Sequence, residues 1–240
     1  MSIFEMQVDP KVTRNQAFHD ACRTGDADKA LRLLDECSEE DLAHMIDVTR
    51  SDMPAILMAS DGQFWGLCEE LIKRGVDLNV KNRGGYAPIH VYAEHGHEQL
   101  IRLAVENSCF VGRKDSRGRS PLHFAAAKDK EDACMLLLSL GAEVNSLTNE
   151  NDTALHFAAR NGNISLARKL IAAGGYVHGE NDMGETPITL STSDEMRSEL
   201  ERADLQRAVA DTEAKRAAEA AANPSAEPAP APARRRIAKA

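Results

Sequence analysis

The sequence predicts an all-α solenoid built from helix–turn–helix units that stack in a row. Histidines recur at a fixed interval of 33 residues, at His90, His123 and His156, and Thr189 falls at the next step. The residues expected in tight turns keep the same interval, at Gly85, Gly118, Asn151 and Gly184. One such unit cannot cover its own apolar face. A period of this length with two helical patterns per unit is therefore typical of stacked repeats.

The unit at 114–146 shows why each half should fold as a helix. Ser120 is predicted to be an N-cap whose side-chain oxygen accepts a backbone N–H, and Pro121 suits the first helical position. Small apolar residues follow, so the first helix can lie close to its neighbours. The second helix is predicted to bury Met135, Leu137 and Leu138. Gly141 then permits the backbone turn that ends it.

These residues resemble the ankyrin repeat, through Ser120–Ala126 in the first helix and Gly141–Asn145 after the second. The resemblance covers about residues 15–200, with four units in clear register. It implies a concave face, made by β-turn tips and the first helices, on which protein partners bind. It also implies that the motif histidine makes structural hydrogen bonds at the junction between repeats.

The period divides the chain into segments. We expect a lead-in at 1–14 and an ankyrin repeat domain at 15–203. Its units are an N-terminal capping unit at 15–48, four repeats at 49–80, 81–113, 114–146 and 147–179, and a C-terminal unit at 180–203. A solvated helix is expected at 204–222, followed at 223–240 by a disordered Pro/Ala-rich tail with a basic end.

Each unit carries its own signals. The first keeps the spacing of His19 to Gly25, and its polar residues fit a cap with one face in water. Five extra residues precede the second unit, and a capping box at 38–41 predicts an extra helical turn there. The second unit is the weakest match, because Leu57 replaces the histidine and a glycine appears one position early, at Gly62. The last unit departs after Thr189, where Ser193 can cap a final helix.

Composition narrows the possible functions. A formal net charge of −9 and an aromatic content of 4% disfavour general nucleic-acid binding by the repeats, which needs a basic surface and stacking platforms. The five cysteines are odd in number and form no CxxC pair, as expected of free thiols in a reducing compartment. No apolar run approaches the length of a membrane-spanning helix, and the N-terminal residues lack the apolar region of a secretory signal. We expect a cytoplasmic monomer, and export to a host cell without a classical signal stays open.

The candidate chemical sites are better explained by the repeat. His90 and His97 occupy positions that ankyrin repeats fill with histidine, so a metal site with His95 is disfavoured. His19 and Cys22 lie three residues apart, the spacing of a nucleophile and its base, but both fit core positions. The sequence contains no P-loop, dinucleotide fingerprint, HExxH or GxSxG motif. We therefore expect no enzyme activity, no cofactor and no metal.

The resemblance implies instead a set of partner-binding residues on the turn tips and first helices. They are Lys81, Arg83, Tyr86, Glu94, His95, Lys114, Arg117, Arg119, Lys128, Glu150, Asp152, Arg160, Asn161 and Glu185. The set is basic in the third and fourth units and acidic in the fifth and sixth. The function expected first is a non-enzymatic module that binds a protein partner, as an inhibitor or an adaptor. The alternative is a regulator or enzyme that acts on nucleic acid or a host protein through the basic tail at 234–239 or an unrecognised site.

Overall fold

The computed structural model describes residues 10–36 and 53–222, and these are helical without any strand. The predicted all-α solenoid is confirmed. Three predictions lie outside the described residues: the extra helical turn near 38–47, the environment of Cys37 and the disordered tail at 223–240. The first helix begins at Pro10, inside the segment that was expected to be a lead-in.

Eleven helices occur in the described residues. They are α1 Pro10–Thr24, α2 Ala27–Asp35, α3 Ala55–Asp61, α4 Trp65–Lys73, α5 Pro88–His95, α6 Glu98–Glu106, α7 Pro121–Ala127, α8 Glu131–Ser139, α9 Ala154–Asn161, α10 Ile164–Ala172 and α11 Asp194–Ala222. The odd-numbered helices from α1 to α9 pack in one row, and α4, α6 and α8 pack in a second row. In the last unit the first helix is reduced to a turn at 187–190, and α11 packs against α10.

The core lies between the two rows of helices. Small residues on the first helices, such as Ala125 and Ala158, are fully buried, which allows neighbouring helices to approach closely. On α8, Leu137 is fully buried, whereas Met135 and Leu138 are only half-buried. Four described cysteines are free and buried. Burial raises the pKa of the Cys22 and Cys134 thiols to about 12, so both pack as apolar groups.

The turn between the two helices of each unit needs one residue with left-handed backbone. Gly96 and Gly162 supply it with φ of 75° and 74°, and Asp129 takes the same conformation with φ of 53°. In the second unit Gln63 adopts it, with φ of 59°, while Gly62 has φ of −75°. The turn has therefore not shifted to the glycine. The period places the left-handed residue at 63, and a side chain there is strained.

Replacing Gln63 with glycine should relieve that strain. We expect Gln63→Gly to raise the free energy of unfolding by about 1 kcal/mol, because the cost of left-handed backbone for a residue with a Cβ exceeds the entropy that glycine adds to the unfolded chain. Urea denaturation measures the change. The matched control is Gln16→Gly, on the exposed face of α1, which should lose about 1 kcal/mol. Equal losses at both positions would contradict this account.

Candidate functional site: the tip row

The turns that begin successive units share one closed geometry. The residue at the start of each turn accepts hydrogen bonds from the backbone N–H groups two and four positions later. Asp115 Oδ1 accepts from Arg117 N and Arg119 N at 2.9 and 2.8 Å, and Asn181 Oδ1 accepts from Met183 N and Glu185 N at 3.0 and 2.9 Å. The equivalent acceptors in the other turns are Asn82 and Thr148. Each tip is thus rigid before any neighbour is considered.

Hydrogen bonds between backbones join each tip to the next. Ser116 N donates to Gly84 O at 2.9 Å, Asn149 N donates to Arg117 O at 2.8 Å, and Asp182 N donates to Glu150 O at 3.0 Å. In the 115–119 turn this close approach leaves room only for glycine, whereas Asn151 takes the same left-handed position in the next turn with φ of 61°. A Cβ on Gly118 would lie 2.7 Å from the backbone N of the next tip, and φ there is 75°. We call the connected turns 82–86, 115–119, 148–152 and 181–185 the tip row.

The repeated histidines hold the units in register beneath the tip row. In each case Nδ1 accepts from the backbone N–H of the N-cap residue of the same helix, at 3.0 Å in His90, His123 and His156. The other ring nitrogen meets a carbonyl 23 residues later, at 2.9 Å from His123 to Ser146 O. The same bond is 3.0 Å from His90 and 3.1 Å from His156. The structural role that the family resemblance implied is therefore present in all three.

Ser120 is the N-cap residue of α7, as predicted. Its hydroxyl lies 2.8 Å from His123 Nδ1, so it also contributes to holding the imidazole. In the last unit, Thr189 Oγ1 accepts from Thr186 N at 2.8 Å and Thr186 Oγ1 accepts from Thr189 N at 3.2 Å. This reciprocal cap reproduces the bond that the N-cap N–H makes to the histidine in the other units. Threonine has no second ring nitrogen that could reach beyond its own unit.

This geometry requires the neutral imidazole. A proton on Nδ1 would face a backbone N–H that already donates to that nitrogen, and the rings are buried away from water. Burial lowers the pKa of His90 and His156, and lowers that of His123 to about 4. The unfolded chain therefore binds more protons than the folded chain as the pH falls from about 6.5 towards 4.

Stability should fall across that pH window. The pKa of His123 is lower in the folded chain than in the unfolded chain. The stabilisation of the fold by the neutral ring is therefore fully present above pH 6.5 and is lost as the pH falls. Between pH 7 and pH 5 we expect a loss of about 2 kcal/mol from His123, and the other two histidines add to it. Urea denaturation at both pH values measures the total.

The matched variant for this measurement is His123→Thr, which copies the residue found at Thr189. It keeps an acceptor for the N-cap N–H and loses the bond to the next unit. We expect lower stability at pH 7 but a pH-dependent loss that is about 2 kcal/mol smaller than in the unchanged protein. A variant whose stability falls by the same amount as the unchanged protein would contradict the assignment of this loss to His123.

The predicted partner-binding residues divide into three groups by exposure. The exposed members are Lys81, Arg83, His95, Lys114, Arg117, Lys128, Glu150, Arg160 and Asn161, the half-buried members are Tyr86, Glu94, Arg119 and Glu185, and Asp152 is buried. The tip row brings together the members from the turns, and Lys81 and Lys114 directly precede two of these turns. The other members, Glu94, His95, Lys128, Arg160 and Asn161, lie at the far ends of the first helices.

Two of the predicted contacts already have partners inside the chain. Arg119 bonds the Asp115 carboxylate at 2.8 Å and donates to the Tyr86 hydroxyl at 2.7 Å, with its guanidinium 4.3 Å from the Phe124 ring centroid. Tyr86 packs edge-on against Phe124 at 5.0 Å. The side chain of Asp115 has no exposed surface. This cluster joins the third and fourth units, so Arg119 and Tyr86 hold the surface together, and their role as partner contacts stays a prediction.

The acidic end contains a similar internal link. Asp152 is 3.6 Å from Arg160 and accepts from Asn181 Nδ2 at 3.0 Å. Because its side chain is buried, Asp152 orients the next tip and cannot be a direct contact as expected. Glu185 also accepts from Asn181 Nδ2, at 3.1 Å. Asn161 donates to Ala127 O at 3.1 Å, and so fastens the end of one first helix to the next.

A charge gradient remains after these pairs are set aside. Lys128 lies 3.4 Å from Glu94, and Arg119 is neutralised by Asp115. At the basic end, Lys81 and Arg117 are exposed, and Lys114 donates to the Leu147 carbonyl, which leaves its positive charge uncompensated. At the other end of the row the exposed carboxylates include Glu150 and Asp182.

The two arginines of one tip should therefore respond differently to substitution. We expect Arg119→Gln to lower the free energy of unfolding by about 2–3 kcal/mol, because it strands a buried carboxylate. The matched control Arg117→Gln, two residues away and exposed, should change it by less than about 0.5 kcal/mol. Thermal or urea denaturation reports both. Equal effects would show that Arg119 does not hold the tips together.

Several residues that organise the surface were not predicted from the sequence. Asp115, Thr148 and Asn181 are the acceptors that close the tips, and Phe124 supports Arg119. Their signal was present, since polar residues with short side chains recur at intervals of 33 at the first position of each turn of the tip row, at 82, 115, 148 and 181. Among the described residues no group of three His, Cys, Asp or Glu side chains could hold a metal ion. None of the helices described is long and apolar enough to cross a membrane.

Comparison with known proteins identifies one family and two relatives. The sequence model for ankyrin repeats, which comprises three copies, matches residues 55–148 and 126–200, more than half of the chain. Protein phosphatase 1 regulatory subunit 12A of Mus musculus and that of Rattus norvegicus are each 34% identical over 68 residues. That segment is 28% of this chain and spans only 7% of the length of each relative.

Proposed function

Because the chain belongs to the ankyrin repeat family, we propose that it is a non-enzymatic docking module whose protein partner lies along the tip row. Ankyrin repeats support protein–protein interaction, and the match to them extends over residues 55–200. In this proposal the module acts as an inhibitor of its partner or as an adaptor that brings the partner to another molecule. The relatives carry the name of a regulatory subunit of a phosphatase, which supports a role beside another protein.

The charge gradient on a rigid surface carries this proposal. Hydrogen bonds within and between the tips fix the backbone, so binding orders little of it and loses little entropy. The exposed cations Lys81, Lys114 and Arg117 face an acidic segment of the partner, and Glu150 and Asp182 face a basic segment. Complementary charge of this kind sets the association rate and the orientation of the partner.

The protein acts as a monomer in the cytoplasm in this proposal. The four described cysteines are free and buried, which is typical of a reducing compartment. The basic tail lies outside the described residues and has no role in the proposal.

A photo-crosslinking amino acid at Arg117 tests the position of the partner. In the cells that make the protein, this position should yield a discrete cross-linked protein. The same amino acid at Arg102, exposed on α6 in the outer row, should not. Cross-links from Arg102 alone would place the interface on the opposite face of the solenoid.

Charge reversal tests the electrostatics once that partner is purified. The double variant Lys114→Glu with Arg117→Glu should slow association by about tenfold at low salt and weaken its dependence on ionic strength, because steering depends on the field at the basic end. Lys29→Glu with Arg32→Glu, an equal charge change on exposed positions of α2, is the matched control. Surface plasmon resonance measures both rates, and equal slowing by the two pairs would remove the tip row from the interface.

A further inference from the structure

The last turn of the tip row, 181–185, differs from the others in two ways. Its Met183 side chain is 77% exposed, more than any other large apolar side chain of the described chain. At the equivalent positions, the carbonyls of Gly84, Arg117 and Glu150 each accept a backbone N–H from the next turn. Among the described residues no backbone N–H donates to Met183 O, because α11 follows and not another tip. The row therefore ends on an apolar side chain and an open acceptor.

Met183 stands at the edge of a cavity that the last two tips share. The cavity has a volume of about 340 Å³, and Leu190, in the turn at 187–190, is its second apolar side chain. This volume is at the lower limit of small-molecule sites, so the cavity suits one or two side chains of a peptide.

Four carboxylates line the same cavity against one guanidinium. Arg160 lies 3.6 Å from the buried Asp152 and 4.0 Å from Glu185, so its charge is shared between these two. Asp182 accepts from an asparagine amide at 2.6 Å, which brings no charge, and Glu150 is exposed. The carboxylates at the outer edge, Glu150 and Asp182, thus have no cation of the described chain paired with them.

Arginine is the side chain that matches such a cavity best. Its aliphatic stem can pack against Met183 and Leu190 while its charged head reaches the outer carboxylates. A guanidinium carries five N–H groups in a fixed fork, so it can also donate to a carbonyl such as Met183 O. Charge and shape together therefore favour an arginine-rich segment as the occupant.

The chain itself contains such a segment. Residues 223–240 read NPSAEPAPAPARRRIAKA, and the basic tail at 234–239 begins with three consecutive arginines. Asp204 on α11 lies 3.2 Å from His178, just before the last tip, and α11 continues to Ala222, roughly 27 Å further on. A Pro-rich segment in extended form rises about 3.1 Å per residue, so residues 223–234 span about 37 Å. That length allows the chain to return along α11 to the cavity.

We propose that Arg234, Arg235 and Arg236 dock in this cavity and compete there with the basic segment of the partner. The docking stands on the cavity and the tail, whereas the competition rests on the proposed function. Because the arginines are tethered, their effective concentration at the cavity is high, and weak charge contacts are enough to fill it. A partner must displace the tail before it occupies the acidic end of the tip row.

Methionine methyl signals test the docking in the full chain without a partner. The open-tail variant, Arg234→Gln with Arg235→Gln and Arg236→Gln, removes the three charges. In protein labelled with ¹³C at the methionine methyl groups, the Met183 signal should differ between the unchanged protein and this variant. The signal of Met135, half-buried on α8, should coincide in the two and is the control. Salt at about 1 M should make the two Met183 signals coincide, because charge contacts are then screened. Identical Met183 signals at low salt overturn the docking.

A peptide added in trans identifies the occupant. A fluorescein-labelled peptide with the sequence of residues 229–240 should bind the open-tail variant about tenfold more tightly than the unchanged protein, whose cavity is already occupied. Fluorescence anisotropy measures both affinities. Equal affinity for the two proteins overturns the docking of the tail and leaves the cavity to the basic segment of another molecule.

Substitutions in the cavity locate the bound peptide. Glu150→Gln with Asp182→Asn, added to the open-tail variant, should abolish peptide binding, and asparagine at 182 keeps the oxygen that accepts from Asn151. Asp28→Asn with Glu36→Gln makes an equal charge change at exposed positions of the first unit and should leave binding unchanged. Circular dichroism checks that both variants are folded. Peptide binding that survives the cavity substitutions overturns the assignment of the site.

The docking and the proposed function fail in distinguishable ways. Once the partner is purified, the open-tail variant should bind it about tenfold more tightly than the unchanged protein, and equal affinities overturn the competition. If the Met183 signal and the peptide respond as expected but cross-links form only from Arg102, the docked tail stands and the tip row is not the interface. Cross-links from Arg117 together with a Met183 signal that ignores the tail retain the proposed function and overturn this inference.

Discussion

The neutral imidazole that accepts a hydrogen bond at the start of its own helix and donates one where its unit passes into the next is the interaction on which the rest of the solenoid depends. In His90, His123 and His156 one ring nitrogen binds the start of its own helix and the other meets the carbonyl of the last residue of the same unit. Nε2 of His123 also lies 3.2 Å from Asp152 O in the next unit, so the ring fixes the place where one unit passes into the next. Burial keeps the ring neutral, and neutrality keeps one nitrogen available as an acceptor.

The tip row follows from that register. Only when neighbouring units stand at the spacing that the histidines set can each tip donate to the carbonyl of the one before it, as Ser116 N does to Gly84 O. Charged side chains then complete the arrangement, and Arg119 connects a buried carboxylate to the tyrosine and phenylalanine rings of two units. Part of the surface that was expected to bind a partner therefore serves to hold neighbouring units together. The residues left over, such as Lys81 and Arg117, are exposed cations without such an internal role.

Much of the fold could be predicted because the same residue types recur at the same positions in successive units. The helices, the turns at fixed intervals and the junction histidines were all visible in the sequence. The conformation of Gln63 was not, because a local preference for glycine suggested its neighbour, whereas stacking requires the left-handed residue at the periodic position. Among the candidate contacts, exposure was misjudged where a side chain meets another unit. The link from Asp152 to Asn181 joins residues far apart in sequence, and nothing within one unit reveals it. The contact of Trp65 with His95 and His97 escaped prediction for the same reason, since only the stacking of α4 against the following unit brings the indole to 5.3 and 4.1 Å from the two imidazoles.

Thr189 has a consequence for how long such a protein can be. A chain of identical units has no intrinsic length, and each unit exposes a face that would accept another. A histidine at this position would direct an N–H beyond its own unit, where the described chain continues as α11 and not as another repeat. With threonine, the last junction position bonds Thr186 within its own turn and needs no partner beyond it. Adding a further repeat would therefore require a change of Thr189 as well as the insertion of a new unit.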